Sequence, residues 1–145
     1  MAALATSVLQ SRMIRLSNQG QGPKMRYMLM FYEREAEVAA QRDTADRTGP
    51  YWGAWNAYVG ALYEAGVVLR GDGLLPPATA TTVRLEGDKR LVQDGPVAVT
   101  KEQLAGYVVI DVLDLDAALA WAARCPAATF GAVEVRPTLP PPNQG

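Results

Sequence analysis

Asp94 is the acid best placed for chemistry in this sequence. It stands in Gln93-Asp94-Gly95-Pro96-Val97, where an Asp-Gly-Pro turn fixes a carboxylate at the end of a strand. Such a group could act as a general base, or bind a substrate donor, if desolvation raises its pKa. It could equally accept backbone amides and hold the turn. Arg84 could clamp a carboxylate or phosphate with its planar fork, or form an ordinary ion pair between strand and loop. Lys101, in Thr100-Lys101-Glu102-Gln103-Leu104, is a second cation. With Glu102 it also reads as a solvated turn or helix start. Tyr27, Tyr32, Tyr58, Tyr63 and Tyr107, with Trp52 and Trp55, could line an apolar pocket with a few polar tips. The spacing of Tyr51, Trp55 and Tyr58 also fits plain core. Asp72, between Gly71 and Gly73, could face a cleft or hold a turn. The candidate site is therefore Asp94 as catalytic group, with Arg84, Lys101, Tyr107, Tyr27, Tyr58 and Asp72 as ligand-binding residues.

The chain has no histidine and one cysteine, Cys125. A Ser-His or Cys-His nucleophile is thereby excluded, and a zinc site is not expected. Cys125, before Pro126 at a helix end, reads as a small packed residue. Asp111, Asp114 and Asp116 lack the glycine and distal glutamate of an EF-hand loop, and helix capping explains Asp114 and Asp116 better. Gly71-Asp72-Gly73 lacks the third glycine of a dinucleotide fingerprint, and no Walker loop is present. No cofactor and no metal are expected.

Lys and Arg total 14 against 15 Asp and Glu, so net charge argues for neither nucleic acid nor membrane surface. No apolar run approaches the roughly 20 residues that span a bilayer. The lone cysteine fits a reducing compartment, and a cytoplasmic protein is expected. The first acid is Glu33; before it come Arg12, Arg15, Lys24 and Arg26. Residues 1–24 read as an extension ahead of a natural start at Met25, and residues 138–145 as a stiff proline-rich tail.

Between them lies one domain, over 25–137, whose elements must hold the candidate groups. Arg26 to Tyr32 is a short apolar run expected to be a buried strand. Glu33 to Asp43 is polar and alanine-rich, and suggests a short exposed helix. Tyr51, Trp55, Tyr58 and Leu62 recur every three or four residues, which predicts a helix from near Pro50 to near Gly66. Val67 to Arg70 follows as a strand that Gly71-Asp72-Gly73 should interrupt. Thr81–Leu85 and Arg90–Gln93 flank Glu86-Gly87-Asp88-Lys89, a hairpin signal that would set Asp94 opposite Thr81. Tyr107 to Val112 reads as a central strand. Asp114 would cap a helix whose inner face is Leu115, Ala118, Leu119 and Ala122. Ala132 to Arg136 alternates as a last strand, with Glu134 and Arg136 on one face and suited to a cross-strand salt bridge.

This order predicts an α+β fold: a ferredoxin-like antiparallel sheet with two helices on one face and an inserted β-hairpin. Such a sheet leaves its other face bare, so a homodimer is expected, with a higher oligomer left open.

The chain from Met25 to Pro137 resembles the DGPF-domain branch of the YCII-related proteins. The matching pieces are Arg26-Tyr27-Met28-Leu29, Leu75-Pro76-Pro77-Ala78-Thr79-Ala80-Thr81-Thr82-Val83-Arg84, and Asp94-Gly95-Pro96. Thr100-Lys101-Glu102-Gln103-Leu104, Gly106-Tyr107 and Gly131 to Pro137 complete the order. The resemblance implies a dimeric α+β barrel with a cleft in each protomer and an unknown small molecule as ligand. It also implies genes that neighbour those of alternative sigma factors. The chain departs from the family motif at Val97, Val99 and Ala105, where the motif has Phe, Glu and Gly. The acid–histidine pair of other YCII-related branches cannot form here.

Two functions are therefore expected. One is a small-molecule protein, an enzyme of proton-transfer type using Asp94 in a cleft. The other is a non-catalytic regulatory module associated with an alternative sigma factor. For the second, the basic arm before Met25 and the proline tail would supply docking elements.

Overall fold

The computed structural model describes residues 24–140 and 142. The extension expected over 1–24, apart from Lys24, lies outside them, as does most of the chain beyond Pro140.

Strand β1 (Met25–Arg34) alternates strictly. Tyr27, Leu29, Phe31 and Glu33 are buried, while Met28, Met30 and Tyr32 are half-buried on the opposite face. Helix α1 (Glu35–Arg42) follows directly. The exposed helix expected from Glu33 onward therefore begins two residues later, and Glu33 belongs to the strand. The reason is register: Glu33 pairs with Gln103 and Gly131 of the neighbouring strands. Two ladders on either side hold its backbone in the sheet despite its charge. Nor is α1 wholly exposed, since Val38 and Arg42 are buried.

Helix α2 (Pro50–Glu64) starts with proline in its first turn, and Gly66 at φ +71° ends it as the sequence suggests. Strand β2 (Val68–Gly73) runs through the glycines instead of stopping at them. Its irregularity lies between Val68 and Arg70, where the register to the neighbouring strand slips. A 3₁₀ turn over Pro77–Thr79 leads to hairpin β3 (Thr81–Glu86) and β4 (Lys89–Asp94), with Gly87 at φ +60° in the turn. The register places Asp94 opposite Thr81, as expected.

Strand β5 (Glu102–Val112) is longer than the predicted central strand, because it begins within the charged Thr100–Leu104 stretch. Helix α3 (Leu115–Ala123) is capped by Asp114, whose carboxylate accepts from the Ala117 amide at 2.9 Å. Its inner face is rotated from the predicted one. Ala118 and Ala122 are buried, but Leu115 and Leu119 stay nearly half exposed, at 47% and 46%. Ala117 and Trp121 pack on the core instead, and Trp121 also gives its backbone carbonyl to the Tyr58 hydroxyl at 2.9 Å. A short helix α4 (Ala127–Phe130) precedes strand β6 (Gly131–Pro137).

The sheet order is β2-β5-β1-β6, antiparallel at every pairing, with β3 and β4 forming a separate two-stranded sheet. This is the expected ferredoxin-like α+β arrangement with an inserted hairpin. The core lies between one sheet face (Tyr27, Leu29, Phe31, Val108, Ile110) and the helices, from which Tyr58, Leu62, Ala118 and Ala122 face inward. Cys125 is buried there, and burial pushes its thiol up to about 12, which leaves it a packing residue. No helix among the described residues is long and apolar enough to cross a membrane.

Candidate functional site

The second sheet face holds the polar groups. At its edge, the ends of β1 and β6 and the start of β5 frame an open groove of about 1050 Å³. Tyr32 and Arg34 enter from β1, Glu134 from β6, Glu37 from α1, Thr100 and Lys101 from the loop before β5, and Glu102 from the first residue of β5. Strand alternation explains the set: Tyr32 pairs with Ala132, and Arg34 with Glu102, so these side chains share a face.

Arg34 lies 3.6 Å from Glu37 and 3.7 Å from Glu102. Such long, exposed pairs hold a guanidinium weakly. Lys101 makes no ion pair among the described residues. The loop that carries it is braced by Gln103, whose side-chain amide donates to the carbonyls of Ala98 at 3.0 Å and Thr100 at 2.9 Å. Glu134 pairs with Arg136 at 2.5 Å. That contact lies within one strand, not across strands as expected, because residues two apart on a strand share a face.

A second polar pair lies further along the same face. The Tyr107 hydroxyl donates to Asp72 Oδ2 at 2.8 Å. The two residues are register partners between β5 and β2. The bond to Asp72, then the nearby negative charge, holds the Tyr107 phenol above its ordinary pKa.

The remaining sequence candidates lie elsewhere. Tyr27 and Tyr58 are core residues, 3% and 5% exposed, and line no part of the groove. Asp94 is exposed at the hairpin mouth, and its side chain makes no hydrogen bond among the described residues. Arg84 pairs with Leu91 and Asp94 with Thr81, so alternation sets the two on opposite faces of the hairpin. The fold therefore brings Lys101 into the groove and joins Asp72 to Tyr107, but does not bring Arg84 to Asp94.

One buried acid escaped sequence reasoning. Glu33 is 1% exposed, and the Tyr51 hydroxyl lies 2.7 Å from each of its carboxyl oxygens. The indole nitrogen of Trp55 is buried and makes no hydrogen bond of ordinary geometry, yet sits close enough to favour the ionised acid. Burial outweighs these contacts and raises the Glu33 pKa. Strict alternation from Tyr27 to Phe31 was the signal: continued by one step, it turns Glu33 inward.

A protein of Rhizobium meliloti (strain 1021), itself described as uncharacterised, is 42% identical to this chain over 76 residues. The match covers 51% of this chain and 61% of that protein. The profile of the YCII-related domain matches residues 25–140, which includes every strand and helix described above. On that match, the chain belongs to the YCII-related domain family.

Proposed function

We propose that this protein, as a member of the DGPF branch, binds a small anionic molecule in the groove between β1, β5 and β6. The observation that carries the reading is Lys101, a cation without an ion pair among the described residues, on a braced loop beside loosely held Arg34 and the ring of Tyr32. A carboxylate or phosphate on a flat molecule would pair with the two cations while its body lies on Tyr32. Asp94 is the acid or base of a proton transfer in this reading. Its carboxylate is exposed and unengaged among the described residues, and the loop from Gly95 joins it to Lys101. The protein acts in the cytoplasm as a homodimer, its second sheet faces turned together as a barrel; half-buried Met28, Met30 and Tyr32 there support this.

Benzoate, flat and anionic, tests the site. In an amide NMR titration it should shift residues 32–34, 100–104 and 132–134 of the wild type, with residues 94–95 following. Lys101→Gln should weaken binding roughly tenfold, the usual scale of one charge-assisted contact. Equal affinity in the variant, or shifts confined to other surfaces, would refute the groove. Unmoved residues 94–95 would remove Asp94 from it.

A second reading rests on the hairpin. Val83, Leu85 and Val92 are 56%, 73% and 57% exposed, and Val97 and Val99 are 72% and 92% exposed. Register puts Val83, Leu85 and Val92 on one hairpin face. That is the surface of a non-catalytic interaction module, whose partner would be an alternative sigma factor. Co-purification from native cells that survives Val83→Ser with Val92→Ser would count against it.

A further inference from the structure

Glu33 occupies the last buried position of β1, where a chain of apolar side chains would be the ordinary choice. Its surroundings come from helices and from the strands on either side. Tyr51 and Trp55 face it from α2, Arg42 and Glu35 act on it from α1, and Cys125 approaches after α3. Its strand neighbours, Gln103 and Gly131, carry no charge.

The nearby cation does not neutralise it. Arg42 holds both carboxyl oxygens of Glu35 at 2.7 Å and Asp43 Oδ1 at 2.8 Å. Among the described residues Glu33 therefore has only neutral close partners, the Trp55 indole and the Tyr51 hydroxyl. That hydroxyl has one proton to donate, yet it sits 2.7 Å from both oxygens. Both contacts are favourable when the carboxyl carries a proton and donates back. An ionised carboxylate at 1% exposure carries a desolvation cost that these neutral donors and the engaged Arg42 offset only in part.

The element beside it with few anchors is α1. Only Val38 and Arg42 of its residues are buried. It joins α2 through exposed residues 43–49, helped by the Trp52 indole donating to the Arg42 carbonyl at 2.9 Å. We propose that Glu33 and Tyr51 form a proton-held latch, which fastens α1 and the first turn of α2 to the end of β1 and loosens when Glu33 loses its proton. Tyr32 and Arg34, the immediate neighbours of Glu33, line the groove, so the latch sets the firmness of that wall.

Hydrogen exchange across a pH series, corrected for intrinsic exchange chemistry, tests this on the full chain. In the wild type, protection over residues 35–53 should fall about tenfold per pH unit once Glu33 begins to ionise, while β5 stays protected. Glu33→Gln should show no such fall. Tyr51→Phe should move its midpoint to higher pH, because the carboxylate loses its nearest donor. A fall that persists in Glu33→Gln overturns the latch. Should that variant not fold, an unmoved midpoint in Tyr51→Phe does the same, as does a wild type without any fall.

Discussion

Gly71 and Gly106 let β2 and β5 approach closely enough for Tyr107 to reach Asp72. A Cβ on Gly71 would lie 2.8 Å from the Tyr107 carbonyl oxygen, and one on Gly106 would lie 2.8 Å from that of Asp72. Both obstacles are backbone in the middle of a ladder, so neither can swing aside. Gly71, read in the sequence as part of a break, is thus one of the residues that keep the strand paired.

Substituting Gly106→Ala should cost about 1–3 kcal/mol, the usual range for overpacking a tight site. Chemical denaturation would measure it. Near-UV absorbance should also show the Tyr107 phenol titrating at lower pH, because the strands part and Asp72 withdraws.

Gly131 is tighter still. A Cβ there would overlap the carbonyl oxygen of Tyr32, on the strand that supports the groove. Gly131→Ala should destabilise by about 3 kcal/mol or more, since β1 and β6 must separate. Urea unfolding would report it, and a loss within about 0.5 kcal/mol would contradict so close an approach of these strands.

Asp114 gives α3 its first-turn hydrogen bond and remains exposed. Asp114→Ala should therefore cost about 1 kcal/mol, and Asp114→Asn much less, because asparagine caps nearly as well. Thermal or urea unfolding distinguishes the two.

Glu33 makes stability depend on pH in a defined direction. Its folded pKa lies above the ordinary 4.5, so the folded chain holds a proton that the unfolded chain releases. Its contribution is complete below pH 4.5 and is lost as pH rises through the folded value. Wild type should therefore lose stability relative to Glu33→Gln as pH rises over that window. Urea midpoints at several pH values would show it, and parallel curves would refute it.

Asp94 and Glu33 mark how far the sequence could be read. The hairpin was legible because its signals are local: Gly87 permits the turn, and the turn sets Asp94 opposite Thr81. The same register implies that Arg84 faces away from Asp94. Pro50, Gly66 and Asp114 punctuate helices by local chemistry too, and each acts where expected. Glu33 was harder, since its charge argues for solvent, and only the ladders on both sides overrule it.

Alternation, turn residues and caps, all short-range, determined the order of elements, the α+β class and the hairpin register. Only the tertiary structure decided which polar groups meet. Arg34 and Lys101 lie 67 residues apart in the chain, and pairing of β1 with β5 brings their segments to one groove. Tyr107 and Asp72 meet because two glycines admit a close strand approach. Glu33 is sealed because a helix from elsewhere in the chain carries Tyr51 to it. Such encounters depend on long-range packing, which no local pattern encodes.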